Sequence, residues 1–315
     1  MPDFLDQLRA EMIRILPTRS RREKDAFAAL DIDEQAWRFL NWQSRLVHPH
    51  PRQVNVADGF DKLPAVHANQ AAVDALLDKL ARGDDVGGHL SKDVMQGYCI
   101  HPPGRKDGPD FDLMLNEWGI HHLHLESSTG TGPKPPTGDV LYVILGRGAA
   151  YVLTVAPHRA WTSRQLIAAA QHTWPHQGLF VPLGMMPGRD WTESEHKGLR
   201  KAGMTVAAVQ DGKHWISGIT LGLTTALVSL RISKETGHIL RQAQHASEHE
   251  GELLACLSQN AALNEVPWPA APQVHLKAIS APDRYCFAFV EEHSQATLLL
   301  APPWAATIER WAGRR

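Results

Sequence analysis

The heptapeptide GIHHLHL occupies residues 119–125, and its last four residues alternate polar and apolar side chains as a half-buried β-strand does. Two further strand-like runs follow it, VLYVIL at residues 140–145 and AAYVLTVA at residues 149–156. The tripeptide GRG at 146–148 separates these two runs and predicts a tight hairpin. A helical pattern then covers residues 161–174. Together these features predict a small antiparallel sheet with one helix packed on it.

The sequence on either side of this sheet differs in character. Residues 1–88 carry apolar side chains at helical spacing, whereas residues 176–315 combine strand-like runs with a long helical stretch around 235–258. We therefore predict an α+β protein in three segments. A helical N-terminal region covers 1–88, the small antiparallel sheet with its packed helix lies in 89–175, and a second α/β unit covers 176–315.

The composition indicates which kinds of partner the protein binds and in which cellular compartment it lies. The chain has 315 residues, and its 32 Lys and Arg against 34 Asp and Glu give a net charge of −2, so no global positive field draws it to nucleic acid or to an anionic membrane. The three cysteines form no CxxC pair, which argues against a disulfide framework. The sequence predicts neither a signal peptide nor a membrane span. These features predict a cytoplasmic protein with no membrane partner.

Histidine is the unusual residue, with 18 in the chain, and the heptapeptide holds three of them. On a strand, residues two apart share a face, so His122 and His124 lie on one face about 6–7 Å apart. Leu123 and Leu125 lie on the opposite face, which we expect to pack against the core. Two imidazoles at that distance suit a general acid and a general base around one phosphate, or two ligands of one metal ion.

The third strand is followed by His158 and Arg159, which add an imidazole and a guanidinium at the rim of the predicted sheet. A guanidinium stabilises the charge of a pentavalent phosphate well, because its N–H groups match phosphate oxygens. We predict four catalytic residues: His122, His124, His158 and Arg159. We also predict four substrate-binding residues, with indole rings available to stack on bases: His121, Trp118, Tyr142 and Trp161.

Residues 112–175 resemble the core of RelE/ParE-type bacterial toxin RNases, a group related to barnase-like and EndoU-like enzymes. The resemblance is carried by HLHL at 122–125, VLY at 140–142, YVLTV at 151–155 with His158 and Arg159 after it, and the helix at 161–174. It implies an endoribonuclease of toxin or phage-defence type, with an RNA substrate, a cognate inhibitor protein as possible partner, and neither metal nor cofactor. His122 as general base and His124 as general acid would then promote attack by the ribose 2′-OH, with His158 and Arg159 on the phosphate. The chain is longer and less basic than those toxins, and it has His where their first strand commonly has Arg.

Two other classes of function remain open. The first is a non-catalytic module that binds protein or nucleic acid and uses its histidines structurally. The second is a metal-dependent hydrolase, because His122 and His124 form an HxH strand motif. The sequence HASEH at 245–249 is a further metal-ligand pattern, since two histidines four residues apart share one face of a helix.

Overall fold

The computed structural model describes residues 3–91, 94, 111–128, 138–146, 148–184, 191–210, 213–280 and 284–300. This described part of the chain contains ten α-helices and three β-sheets, which confirms the predicted α+β class. Within it, no helix combines the length and the apolar character that crossing a membrane requires.

The described residues group into two compact units. One unit lies within Ser44–Ser233, and the other combines residues within Met1–Gln43 with residues within Lys234–Arg315. The second unit joins both ends of the chain because N-terminal helix residues bond to a C-terminal strand, as where the Leu276 N–H donates to the Gln7 Oε1 at 2.7 Å. These stretches differ from the three predicted segments, whose boundaries at 88 and 175 stay predictions.

The central sheet of the Ser44–Ser233 unit has four strands. They are β1 (Gln53–Val56), β2 (Ile120–His124), β3 (Asp139–Leu145) and β4 (Ala149–Pro157), in the spatial order β1-β4-β3-β2. The pairs β2–β3 and β3–β4 are antiparallel, as the three runs of sequence predicted. β1 pairs in parallel with β4. It lies inside the segment predicted to be helical, and it was not predicted as a strand because its four residues are too few to show a strand period.

Both faces of this sheet are covered. On one face the sheet packs with α4 (Pro64–Ala68) and α5 (Gln70–Arg82), and we call this cluster the α5 core. On the other face it packs with α6 (Leu113–Trp118) and α7 (Gln165–Thr173), and we call this cluster the α7 core. The helix predicted on the sheet is therefore present as α7, and the turn before it is a short 3-10 helix at Ala160–Thr162.

A second, smaller sheet belongs to the same unit. Its strands are β5 (Phe180–Leu183), β6 (Ala208–Gln210) and β7 (Lys213–Ser217), in the order β5-β7-β6 with antiparallel pairs, and α8 (Glu193–Lys201) precedes β6. The segment predicted as one C-terminal α/β unit thus contributes its first three strands to the unit that holds the central sheet.

The other unit is built from helices and a third sheet. Its helices are α1 (Phe4–Ile15), α2 (Arg21–Ala28), most of α3 (Ile32–Arg45), most of α9 (Leu230–Glu248) and α10 (Glu250–Leu263). Its strands are β8 (Val274–Ser280), β9 (Tyr285–Glu291) and β10 (Thr297–Leu299), antiparallel in the order β10-β9-β8. Aromatic rings join helix to sheet, with Phe4 and Phe289 at 4.9 Å and Phe39 and Phe287 at 5.4 Å between ring centroids.

Truncating a side chain in the α5 core tests this architecture. Leu141 on β3 is fully buried, so Leu141→Ala is expected to lower the free energy of unfolding by about 2–5 kcal/mol through lost burial and a residual cavity. The same truncation at Leu263, which is 77% exposed, should change it by less than about 0.5 kcal/mol. Urea unfolding followed by tryptophan fluorescence measures both variants. Equal midpoints for the two would contradict the placement of β3 in the core.

Candidate functional site

Three histidines meet at one end of the central sheet. His122 and His124 lie on β2, and His158 directly follows β4. Their ring centroids are 5.9 Å apart for His122 and His124, 4.8 Å for His122 and His158, and 5.3 Å for His124 and His158. One nitrogen from each ring lies within 4.8 Å of the other two. The two strand histidines share a face at close to the predicted spacing, and the third predicted imidazole joins them.

The alternation of β2 places the histidine pair as the sequence indicated. Leu123 and Leu125 are buried in the α5 core, so the residues between and before them face the other way. His122 pairs with Tyr142 on the neighbouring strand β3, and Tyr142 belongs to the α7 core. Gly119 adopts a left-handed conformation with φ 72° and ends α6, which allows the chain to enter β2 immediately after the helix.

A β-bulge in β4 governs the position of His158. Tyr142 on β3 pairs with Thr154, whereas the next residue, Val143, pairs with Val152. One residue of β4, Leu153, therefore has no partner of its own in this ladder. An extra residue of this kind bends a strand and redirects the side chains that follow it.

The effect of the bulge is visible in which core each β4 residue joins. Val152 and Val155 are three residues apart, yet both lie in the α5 core. Leu153 and Ala156 are also three apart, and both pack in the α7 core. In a regular strand such residues would point to opposite faces. His158, two residues after Ala156, consequently comes to the face that carries the other two histidines.

Tyr142 holds the end of β4 from inside the sheet. Its side chain is fully buried, and its hydroxyl donates a hydrogen bond to the Pro157 carbonyl at 3.0 Å, one residue before His158. Burial raises the pKa of Tyr142, so the hydroxyl keeps its proton and remains a donor. Tyr142 was predicted to bind substrate, but a side chain without exposed surface has a positioning role instead.

Asp112 completes the site and was not identified from the sequence. Its Oδ2 lies 3.6 Å from the His122 Nδ1, and its Oδ1 accepts the Leu115 N–H at 3.1 Å as the N-cap of α6. Its backbone is left-handed, with φ 51° and ψ 71°, a conformation that is uncommon for residues other than glycine and that clusters at functional sites. An aspartate before a helical run signals a cap in a sequence, but its contact with the histidine strand depends on the fold.

A fourth histidine supports the site from behind β2. His89 is buried, and its Nδ1 donates to the His124 carbonyl at 2.8 Å, because a carbonyl oxygen can only accept. This leaves its Nε2 to accept from the Lys79 ammonium at 3.2 Å. Burial, followed by the charge of Lys79, lowers the pKa of His89 and keeps the ring neutral. The contact fixes the backbone of β2 at His124.

Burial lowers the pKa of two histidines of β2, His121 and His124. Burial lowers the pKa of His124 to about 4, with a further contribution from His122, His158 and His89. His124 therefore has a free nitrogen lone pair at neutral pH. His121 has a pKa lowered to about 4 by burial, and it alternates to the opposite face of β2 from His122. The structure thus separates His121 from the three-histidine cluster that it was predicted to assist.

Of the remaining predicted site residues, Trp118 is buried, whereas Trp161 and Arg159 have exposed surface. Trp118 is buried, with its ring 5.1 Å from the His196 ring and 4.3 Å from the Arg200 guanidinium carbon, so it has no face for a base. Trp161 is half-buried, and the Lys197 ammonium lies 5.2 Å from its ring centroid. Arg159 is exposed beside His158, where a guanidinium can reach a bound phosphate.

A buried ionic network anchors the helix that precedes β2. The Glu117 carboxylate on α6 accepts hydrogen bonds from His196 at 3.1 Å and from the Arg200 Nε, and both donors lie on α8. Burial alone would raise the pKa of Glu117, but the hydrogen bond from His196 and the charge of Arg200 hold it below its ordinary value. Arg200 also donates to the Trp161 carbonyl at 2.8 Å. The network therefore ties α8 to the segments that lead into and out of the site.

The HASEH motif lies at the end of a helix, where the His249 N–H donates to the His245 carbonyl at 2.8 Å. One helix, α9, ends at Glu248 and the next, α10, begins at Glu250. The residue between them, His249, has non-helical backbone angles, with φ −128° and ψ 50°. The His245 and His249 rings stack at 4.3 Å, and the His245 Nε2 lies 3.2 Å from Glu252. Among the described residues, the group of three potential metal ligands is the His122, His124 and His158 cluster.

The buried network yields a stability prediction. Glu117→Gln removes the charge that balances Arg200 in the interior, so we expect a loss of about 3–5 kcal/mol in the free energy of unfolding. The control is Asp78→Asn, because Asp78 is 71% exposed and its pairing with Arg82 contributes little. Chemical denaturation of both variants measures the difference. Two variants of equal stability would show that the network does not support α6.

No protein-family model, no curated protein and no solved structure matches this chain. The similarity of residues 112–175 to RelE/ParE-type toxins therefore stays a prediction.

Proposed function

We propose that the protein is an endoribonuclease of toxin or phage-defence type that cleaves RNA by metal-independent acid–base catalysis. The observation that supports this most strongly is the convergence of His122, His124 and His158, with ring nitrogens within 4.8 Å of one another. Two imidazoles at this distance can contact both the attacking and the leaving oxygen of one phosphodiester. A cognate inhibitor protein as partner belongs to the same proposal.

The reaction follows from the chemistry of RNA. A base removes the proton of the ribose 2′-OH, and the oxygen attacks the adjacent phosphorus. The bond from phosphorus to the 5′-oxygen breaks, and an acid protonates that oxygen as it leaves. The products are a 2′,3′-cyclic phosphate and a 5′-hydroxyl, and no metal, water or cofactor is consumed in this step.

Asp112 supports the choice of His122 as the base. A carboxylate beside the Nδ1 of an imidazole orients the ring and stabilises the imidazolium that forms when the other nitrogen accepts a proton. The separation between Asp112 Oδ2 and His122 Nδ1 is 3.6 Å, which is within reach of such a contact on closure around substrate. His122 therefore takes the proton from the 2′-OH.

The remaining groups suit the phosphate and the leaving oxygen. His124 donates the proton to the 5′-oxygen. Burial, and after it the neighbouring imidazoles, disfavours a charged His124, and an anionic phosphate among the rings offsets both effects. His158 and Arg159 are exposed and stabilise the negative charge of the pentavalent phosphate. Trp161 with Lys197 beside it offers a ring and a cation for a neighbouring nucleotide.

Replacing the strand histidines tests the proposal directly. His122→Ala and His124→Ala are each expected to reduce RNA cleavage by about 10²- to 10⁴-fold, since each removes a proton-transfer group. The measurement is cleavage of an end-labelled RNA in EDTA, with the 2′,3′-cyclic phosphate identified by mass spectrometry. The control is His172→Ala, because His172 is 80% exposed and lies at the end of α7.

Three results would contradict this function. The first is full cleavage by the His122→Ala/His124→Ala double variant. The second is cleavage of a DNA oligonucleotide of the same sequence, because DNA lacks the attacking 2′-OH. The third is RNA that binds and stays intact in EDTA, which would favour the non-catalytic binding module.

Asp112→Asn separates positioning from binding. Asparagine keeps the N-cap and tolerates the left-handed backbone, but it removes the charge beside His122. We expect kcat to fall roughly 10- to 100-fold with little change in KM, a smaller loss than that of the imidazole itself. The matched control is Asp58→Asn, because Asp58 pairs with the exposed His172 at 3.7 Å. An unchanged kcat in Asp112→Asn would show that this carboxylate has no part in catalysis.

A further inference from the structure

We propose that His122, His124 and His158 form a binding site for Zn²⁺, and that the bound ion blocks acid–base cleavage of RNA. The site uses residues of the proposed function, but metal binding does not depend on that function being right. Three protein ligands with an open fourth position are the usual donor set of a zinc ion that remains accessible to solvent. The two histidines of β2 supply only two ligands, and the bulge in β4 brings the third.

The distances are compatible with one ion. Zinc binds imidazole nitrogen at about 2.0–2.1 Å, so tetrahedral ligands lie about 3.4 Å from one another. The three nitrogens are within 4.8 Å, so closure by about 1.5 Å at most brings them to that spacing. His158 is exposed and directly follows Pro157, the last residue of β4.

The surroundings of the ligands resemble those of a metal site. A metal-binding histidine usually donates its other ring N–H to a carboxylate or to a carbonyl, which orients the ring. Asp112 lies beside the Nδ1 of His122 and leaves the Nε2 of that ring available to the ion. The hydrogen bond from His89 to the His124 carbonyl holds the ligand strand itself in place.

The donor set also selects the kind of ion. Three imidazoles without a carboxylate suit Zn²⁺ and its borderline neighbours, whereas Mg²⁺ and Ca²⁺ prefer oxygen ligands. A bound Zn²⁺ takes up the nitrogen lone pairs through which the histidines would exchange protons with RNA. Zinc is therefore expected to inhibit cleavage and a chelator to restore it, whereas Mg²⁺ should have no effect.

The test uses the full chain after removal of metals with EDTA and gel filtration. Co²⁺ replaces Zn²⁺ as a visible probe, and we expect a d–d absorption band that saturates at one ion per chain and is abolished by Zn²⁺. Isothermal titration then gives the affinity for Zn²⁺. His158→Ala is expected to weaken binding at least about 100-fold, since loss of an outer partner of a ligand already costs 10- to 100-fold.

Two controls keep the result specific. The double variant His245→Ala/His249→Ala removes the other pair of adjacent imidazoles and should bind Zn²⁺ as the unmodified protein does. His158→Ala removes an exposed side chain outside the cores, and its thermal unfolding measured by circular dichroism checks that the fold is intact. The site is overturned if Co²⁺ gives no saturating band, or if a folded His158→Ala keeps full affinity.

The outcomes also separate this site from the proposed function. Cleavage in EDTA together with no Zn²⁺ binding overturns the metal site alone. Zn²⁺ binding together with no cleavage in EDTA overturns the endoribonuclease and with it the inhibitory role of the ion, and it supports the metal site. Cleavage that appears only with Zn²⁺ supports the metal site, contradicts its inhibitory role and replaces the metal-independent mechanism.

Discussion

The bulge at Leu153 in β4 is the constraint on which the site depends. A sheet buried on both faces requires each strand to alternate between two cores, and every apolar residue of β4 near the bulge does join a core. The extra residue shifts that alternation by one position without exposing an apolar side chain. The bulge also affects the residues after the strand, because it brings His158 to the face of the sheet that carries His122 and His124. Core packing and site geometry are thus set by one irregularity.

Much of the sheet could be predicted because it follows a local period. The three runs that form β2, β3 and β4 alternate or are continuously apolar, and Leu123 and Leu125 are buried as their spacing indicated. The bulge has no such signature, because a regular strand over residues 149–156 has the same composition. Asp112 likewise reads as a helix cap, and only its distance from His122 reveals a second contact.

Two aromatic residues show why a position near the histidines in the sequence does not predict contact with substrate. Trp118 and Tyr142 are close to the histidines along the chain or across the sheet, so both were predicted to touch substrate. In the fold Trp118 packs against His196 and Arg200, and Tyr142 bonds to the Pro157 carbonyl from within the α7 core. Each large side chain is buried because the sheet is covered on that face as well. Tyr142 still contributes to the site, because its hydrogen bond holds the backbone one residue before His158.

The three imidazoles have different surroundings, and this bears on both proposed activities. His122 has a carboxylate beside it and His124 has its backbone fixed from behind, whereas His158 is exposed at the end of a strand. Proton transfer needs His122 and His124 on opposite sides of a phosphate, with His158 near the phosphate oxygens. A metal ion needs all three drawn together on one point. Because both arrangements use the same nitrogen lone pairs, one molecule cannot adopt them at once, and the position of His158 distinguishes between them.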